Sequence, residues 1–219
     1  GGKLDLKMDL KEITNFLIAS KKGLLAADES TETIKKRFAK VGLESTPELN
    51  RKYRQMLITT PQVNQYLSGI IMFDETVRQS TDEGILLPNY IANQGIISGI
   101  KVDEGRDPYG DKEDLSKGLE GLSQRLEEYK KIGLKFSKWR AAFYISKNTP
   151  SRQVLEENSK RMAQFARLSQ DAGFVPIIEP EVVRDGDHDI TVCEDVTQRV
   201  LPATFSEVEK KGIDYKGML

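Results

Sequence analysis

Cysteine, histidine and tryptophan are scarce in this sequence, which contains one of each among 219 residues. With Cys193 as the only cysteine, no disulfide can form within the sequence, and we expect a small buried side chain in a reducing, cytoplasmic environment. His188 stands alone in a polar turn, so a metal site built from several histidines is excluded. We expect a structural role for His188 rather than a place in a catalytic triad.

Excess charge of one sign and long apolar runs are also missing. The 33 lysines and arginines balance 34 acidic residues, for a net charge of -1, which gives no support for binding to nucleic acid or to an anionic membrane. No run approaches the roughly 18 apolar residues of a membrane span, and acidic residues near the N-terminus do not resemble a secretion signal. A hydrophobic content of 38% suits one core, so we expect a soluble single domain over residues 1–219.

Short apolar runs alternate with segments of helical periodicity, and this alternation predicts an α/β fold with a parallel sheet. The predicted strands are 23–28, 66–73, 99–103, 134–145 and 174–183. The predicted helices are 8–20, 47–58, 118–132, 151–173 and 190–211, with Ser151 as an N-cap and an interruption at Pro202. We expect a polar loop over 103–118 and the start of another strand at 215–219.

The fourth predicted strand contains two cations in an otherwise apolar run, F-S-K-W-R-A-A-F. Side chains alternate along a strand, so Lys138 and Arg140 point to one face, and Ser137, Trp139 and Ala141 to the other. Desolvating an unpaired charge costs several kcal/mol, so anions must lie nearby, either in the protein or in a ligand. We therefore interpret this strand as part of a binding or catalytic site.

Charged residues recur at the carboxyl ends of the predicted strands, where ligand sites of parallel α/β barrels gather. A pocket with alternating charges can bind an anion and transfer protons, because opposite neighbours adjust pKa values. Salt bridges that hold the strands together are the alternative explanation. A divalent metal on Asp28, Glu179 and Glu181 is disfavoured by the lysines between them. The residues concerned are Asp28, Glu29, Ser30, Lys101, Asp103, Lys138, Arg140, Glu179 and Glu181.

A basic cluster follows the first predicted strand and consists of Lys35, Lys36 and Arg37. Thr31 or Thr33 could cap the helix that carries the cluster. A solvated helix face is the simpler interpretation. The position beside Asp28 favours phosphate binding, since the start of a helix adds backbone N–H donors. No Gly-rich phosphate loop precedes a Lys-Ser/Thr pair, so nucleotide hydrolysis is unsupported.

Several motifs in order resemble class I fructose-bisphosphate aldolase, the Schiff-base type. This resemblance implies a (β/α)₈ TIM barrel, of which the chain would supply about the first five βα units. It also implies reversible cleavage of fructose 1,6-bisphosphate to dihydroxyacetone phosphate and glyceraldehyde 3-phosphate, without cofactor or metal, in a homo-oligomer. The motifs are residues 23–31 (GLLAADEST), 99–103 (GIKVD), 118–122 (GLEGL), 136–140 (FSKWR), 175–181 (VPIIEPE) and 185–189 (DGDHD).

The resemblance also implies roles for individual residues. A protonated imine on a lysine accepts the electrons of the breaking carbon-carbon bond, and neighbouring acids and bases form the imine and take the substrate's hydroxyl proton. By similarity, the catalytic group is Asp28, Lys138, Glu179 and Glu181. By the same similarity, the substrate- and phosphate-binding group is Ser30, Thr33, Lys36, Arg37, Lys101 and Arg140.

The sequence departs from the family pattern at a few positions. Glu32 adds a negative charge near the predicted phosphate site, Thr33 stands where serine is usual, and Pro202 lies in a helix that is normally continuous. The family's imine-forming lysine is expected just beyond Leu219, so the chain would be incomplete at its C-terminus and inactive alone. Two alternatives stay open. One is a non-catalytic aldolase-like fragment that binds a partner, and the other is a different Schiff-base lyase with Lys138 as its nucleophile.

Overall fold

The computed structural model describes residues 8–19 and 21–219. They form two compact units, one comprising the described residues up to Lys101 with Glu127–Ser137, the other Val102–Leu126 with Lys138–Leu219. The strands are β1 Gly23–Ala27, β2 Leu67–Met72, β3 Ile97–Lys101, β4 Arg106–Tyr109, β5 Glu113–Ser116, β6 Phe136–Phe143 and β7 Val175–Val182. The helices are α1 Leu10–Ala19, α2 Thr31–Ala39, α3 Pro47–Ile58, α4 Val63–Tyr66, α5 Asp74–Val77, α6 Leu87–Asn93, α7 Leu122–Ile132, α8 Arg152–Asp171 and α9 Ile190–Lys210.

The predicted α/β class is confirmed, because the five predicted strands form one sheet in the order β1-β2-β3-β6-β7. In the first unit, β1 pairs in parallel with β2, and β2 pairs in parallel with β3. Almost every residue of β2 and β3 is buried, as parallel strands covered on both faces require. Alternation of strands with helices is the pattern of successive units of a (β/α)₈ barrel.

Two glycines allow an aromatic ring to pack against the sheet of the first unit. A Cβ at Gly99 would overlap the ring of Phe136, and a Cβ at Gly69 would overlap Leu17 and Leu24. Phe136 itself is fully buried. The absence of side chains at Gly69 and Gly99 is therefore a packing requirement, since a close approach of this kind leaves no room for a methyl group.

The prediction of a polar loop over 103–118 is wrong as to its secondary structure. The segment contains the antiparallel hairpin β4–β5, with Asp107 opposite Leu115 and Tyr109 opposite Glu113. All four residues of β4 are exposed, so the strand has no apolar alternation by which sequence analysis could have recognised it. Left-handed backbone at Gly110 and Lys112 forms the turn between the two strands.

The five helices predicted with bounds are present, with corrections at two places, whereas the short helices α4, α5 and α6 were not predicted. The α7 helix begins at Leu122 rather than at residue 118, because Gly118 and Gly121 adopt positive φ angles of 124° and 66°. The α9 helix continues through Pro202, so the predicted interruption is wrong. Pro202 removes one backbone donor, but α9 packs along α8, and that burial outweighs the loss of one hydrogen bond.

Residues 215–219 begin with a 3₁₀ turn, Tyr215–Gly217, rather than directly with a strand. The backbone of Leu219 nevertheless pairs with β7. Its N–H donates to the carbonyl of Pro176, and its carbonyl accepts from Ile178, both at 2.9 Å. These two bonds are the pattern of a parallel β-bridge.

Cys193 is half-buried rather than buried, so that prediction is wrong: the residue lies on a side of α9 that is only partly covered.

Within residues 8–19 and 21–219, the helices contain no segment that is both long and apolar enough to cross a membrane.

Candidate active site

The segment that follows β1 leads directly into α2. Asp28 is buried, with 8% of its surface exposed. Ser30 is the N-cap of α2: its Oγ accepts the N–H of Thr33 at 3.3 Å and lies 3.0 Å from the Thr33 hydroxyl. The prediction that Thr31 or Thr33 caps the helix is therefore wrong, because the extended backbone that a cap requires occurs at Ser30.

Glu29 connects two arginines in this unit. One oxygen of its carboxylate contacts Arg37, and the other lies 3.2 Å from Nη1 of Arg54. Arg54 also donates from Nε to the carbonyl of Ala27 at 2.9 Å and from Nη2 to the carbonyl of Glu29 at 2.8 Å. Burial lowers the pKa of Arg54, and the charge of Glu29 opposes that effect. Arg54 thus fixes the backbone on both sides of Asp28.

The basic cluster on α2 faces solvent. Lys35, Lys36 and Arg37 are all exposed, whereas Ile34 and Phe38 of the same helix are buried. Lys101 is half-buried at the last position of β3. The cluster is therefore accessible to an anion, as both of its sequence-based interpretations require.

The second unit carries two ion pairs between β6 and β7. Nζ of Lys138 lies 3.0 Å from Oε2 of Glu179, and Nε of Arg140 contacts Glu181. Hydrogen bonding to Glu181 raises the pKa of Arg140. The Glu179 oxygen is buried and accepts no hydrogen bond within the described residues, so its attraction to Lys138 is mainly Coulombic. Glu179 and Glu181 are thus the anions that the cations of β6 require.

The other face of β6 is buried, which confirms the predicted alternation. Trp139 is fully buried, stacks on Phe165 with ring centroids 5.6 Å apart, and donates from Nε1 to Oγ of Ser116 at 2.9 Å. At the same end of the unit, Asp103 is buried and accepts the backbone N–H of Arg140 at 3.3 Å. Lys138 and Arg140 are consequently held by a strand whose opposite face is firmly packed.

The predicted site residues fall into two groups. Asp28, Ser30, Thr33, Lys36, Arg37 and Lys101 belong to the first unit, where Ser30 and Thr33 are in contact. Lys138, Arg140, Glu179 and Glu181 belong to the second, where they form the two ion pairs. Among the described residues, no three or more His, Cys, Asp or Glu side chains are arranged to hold a metal ion.

Comparison with known proteins places the chain in a family. The sequence profile of class I fructose-bisphosphate aldolase, a glycolytic family, matches residues 9–219. The chain belongs to this family. It is 45% identical over 212 residues to a probable class 1 fructose-bisphosphate aldolase of Xanthomonas campestris, covering 96% of the chain and 64% of that protein. It is 40% identical over 216 residues to human fructose-bisphosphate aldolase B, covering 97% of the chain and 59% of that protein.

A solved aldolase structure has the same fold. The fructose-bisphosphate aldolase of Plasmodium falciparum, crystallised with TRAP and a small-molecule inhibitor, matches with a TM-score of 0.92 at 39% identity. The match covers 99% of this chain and 64% of that one. The aldolase chain described here thus spans about three-fifths of the length of these relatives, and its five parallel strands correspond to part of an aldolase barrel.

Two residues of this aldolase chain that matter for the site are not apparent from the sequence. Arg54 reads as one charge on the charged helix α3, and its contacts are with residues 25 and 27 positions away. Ser116 lies in the hairpin that was predicted to be a loop. The signal that could have identified Arg54 is its place on the buried side of α3, in line with Asn50 and Ile58.

Proposed function

We propose that the protein carrying this chain is a class I fructose-bisphosphate aldolase, which cleaves fructose 1,6-bisphosphate reversibly through a lysine Schiff base. The observation that carries the proposal is the partly buried Lys138–Glu179 ion pair, with Arg140–Glu181 beside it, in a member of the aldolase family. Paired acids and bases on neighbouring parallel strands suit the repeated proton transfers of imine chemistry.

Each predicted site residue of the second unit has a role in this proposal. Glu179 and Glu181 are the groups that accept and return protons while the imine forms and is hydrolysed. Lys138 holds positive charge beside Glu179, which stabilises the carboxylate and any negative charge that develops on substrate. Arg140, restrained by Glu181 and by the contact of its N–H with Asp103, orients the substrate.

The residues of the first unit have complementary roles. Asp28 takes the hydroxyl proton when the carbon-carbon bond breaks, and its burial restricts the motion of the carboxylate. Lys36 and Arg37, with Ser30, Thr33 and Lys101, form a phosphate subsite. Support for this assignment is the exposed basic face of α2, where Lys36 and Arg37 are open to solvent.

The imine-forming lysine is proposed to follow Leu219 in the active protein. Leu219 pairs with β7 in a parallel register, so in a longer chain the second residue beyond it would lie opposite Glu179. A lysine at that position would have its amine close to the proposed acid-base group. We also propose a single-domain subunit in a homo-oligomer, as the family resemblance implies, and a cytoplasmic location, for which the single cysteine is the support.

Borohydride trapping tests the proposal directly. The active protein incubated with fructose 1,6-bisphosphate and then reduced should carry one covalent adduct, which peptide mass spectrometry should locate after Leu219. An adduct on Lys138 would instead support a lyase that uses Lys138 as its nucleophile. Absence of any adduct, on protein whose intact mass includes the segment after Leu219, would overturn the proposed activity.

A further inference from the structure

Glu29 lies between two arginines that differ greatly in exposure. The Glu29 side chain is only 8% exposed, and it contacts Arg37, which is 60% exposed, and Arg54, which is 2% exposed. One carboxylate therefore serves two guanidinium groups. A second anion can approach Arg37 from solvent, whereas none can reach Arg54.

The two arginines are held in different ways. Arg54 donates to the carbonyls of Ala27 and Glu29 as well as to the Glu29 carboxylate, and these contacts fix its guanidinium in the interior. Arg37 projects from the exposed side of α2 on a long flexible side chain. If Arg37 leaves Glu29, the buried carboxylate keeps Arg54 as its partner, so no charge is stranded in the interior.

We propose that the Glu29 carboxylate pairs with Arg37 while the phosphate subsite is empty. When a phosphate ester binds, it replaces Glu29 as the partner of Arg37. This inference rests on the proposed function, which assigns Lys36 and Arg37 to a phosphate subsite. A carboxylate and a phosphate engage the same donors of a guanidinium, so the two anions compete for Arg37. A phosphate dianion wins this competition through its larger charge, and Glu29 thereby makes the subsite selective for phosphate esters over singly charged ligands.

The competition also sets the strength of binding. An ion pair with one solvent-exposed partner is worth only about 0 to 1 kcal/mol, so Glu29 weakens phosphate binding without preventing it. Release of the phosphorylated product is favoured in the same way, because Glu29 is available to recapture Arg37 as the phosphate departs.

Binding of inorganic phosphate to a set of four proteins tests the proposal by isothermal titration: the unsubstituted protein, Glu29→Gln, Arg37→Ala and the double variant. Glu29→Gln should bind phosphate about two- to fivefold more tightly. The substitution should have no effect when Arg37 is already replaced by alanine. Glu156→Gln, which removes an exposed helical ion pair with Arg152, is the matched control and should leave phosphate binding unchanged.

The outcomes separate this inference from the proposed function. Unchanged or weaker phosphate binding by Glu29→Gln, with Arg37→Ala weakened, would overturn the role of Glu29 alone. Unchanged binding by Arg37→Ala would overturn the phosphate subsite itself. Tightening by Glu29→Gln that persists in the double variant would show that Glu29 acts by general charge, and would also overturn the proposal.

A measurement on the unsubstituted protein covers the case in which Glu29→Gln does not fold because Arg54 loses its anion. A crystal structure with inorganic phosphate should have Arg37 on the phosphate and separated from Glu29, while the contacts of Arg54 with Ala27 and Glu29 remain. Phosphate bound at α2 with the Arg37–Glu29 pair intact would overturn the proposal.

Discussion

Nζ of Lys138 lies 3.0 Å from Oε2 of Glu179, which joins neighbouring strands by a largely Coulombic contact. The Lys138 side chain is 13% exposed and that of Glu179 is 36% exposed, so water only partly screens the pair. Each charge therefore stabilises the other. A lysine held in this way can stabilise developing negative charge and is poorly suited to act as a free nucleophile.

Replacing Glu179 tests its proposed role in proton transfer. Glu179→Gln keeps the shape of the side chain but cannot accept or return a proton, and kcat of the active protein should fall about 10²- to 10⁴-fold. Steady-state kinetics with fructose 1,6-bisphosphate measures the effect. Glu194→Gln, on the exposed side of α9, is the control and should retain kcat. A kcat for Glu179→Gln equal to that of the control would exclude the proposed role.

The buried hydrogen bond between Trp139 and Ser116 supports the strand that carries Lys138. Ser116→Ala removes the acceptor of the indole N–H, and an unsatisfied buried donor costs about 1–3 kcal/mol. Denaturant unfolding followed by Trp139 fluorescence should register a loss of this size. Ser206→Ala, on an exposed position of α9, should change the free energy of unfolding by less than about 0.5 kcal/mol. Equal effects of the two substitutions would contradict the assignment.

The contrast between two glycines tests the packing of the first unit. A methyl group at Gly99 would meet the Phe136 ring, and such overpacking costs about 1–3 kcal/mol of unfolding free energy. Gly23→Ala is the control, because no atom lies within 4 Å of the added methyl group. Thermal or denaturant unfolding should separate the two variants clearly. Similar stability of Gly99→Ala and Gly23→Ala would mean that Phe136 yields without cost.

Burial of the strand faces determines which strands could be predicted from the sequence. Parallel strands bury both faces, so their apolar runs stand out, and β2 and β7 are each within a residue of the predicted bounds at both ends. The hairpin β4–β5 is held by backbone bonds between mostly exposed residues and leaves no such pattern. Local cues were also ambiguous at α2, where Ser30, Thr31 and Thr33 all offer a capping hydroxyl and only the backbone angles select Ser30.

The site itself was harder to predict than the fold. Lys138 and Arg140 were recognisable because charge in an apolar strand is unusual, and their partners Glu179 and Glu181 follow the same logic on the next strand. Arg54 carries no such signal, since a basic residue on a charged helix is ordinary. Its importance comes from contacts with the end of β1, and those depend on how the chain folds back on itself.

The half-buried carboxyl of Asp114 should make stability depend on pH in the acid range. Burial raises its pKa above the usual 3.8, and the charges of Arg106 and Arg140 and a hydrogen bond with Tyr144 only partly oppose that effect. A raised pKa in the folded state means that the folded protein holds its proton more tightly than the unfolded chain. The contribution of Asp114 to stability is therefore complete below the unfolded pKa and is lost as pH rises through the folded pKa.

Asp114→Asn cannot ionise, so it should lose this dependence. Relative to the unsubstituted protein, the variant should gain unfolding free energy between roughly pH 3 and pH 6, as determined by urea unfolding at each pH. Asp195→Asn, at an exposed position of α9, is the control and should follow the unsubstituted protein more closely. A constant difference between Asp114→Asn and the unsubstituted protein across this range would mean that Asp114 titrates alike in the folded and unfolded states. Its burial in the hairpin would then have no electrostatic consequence.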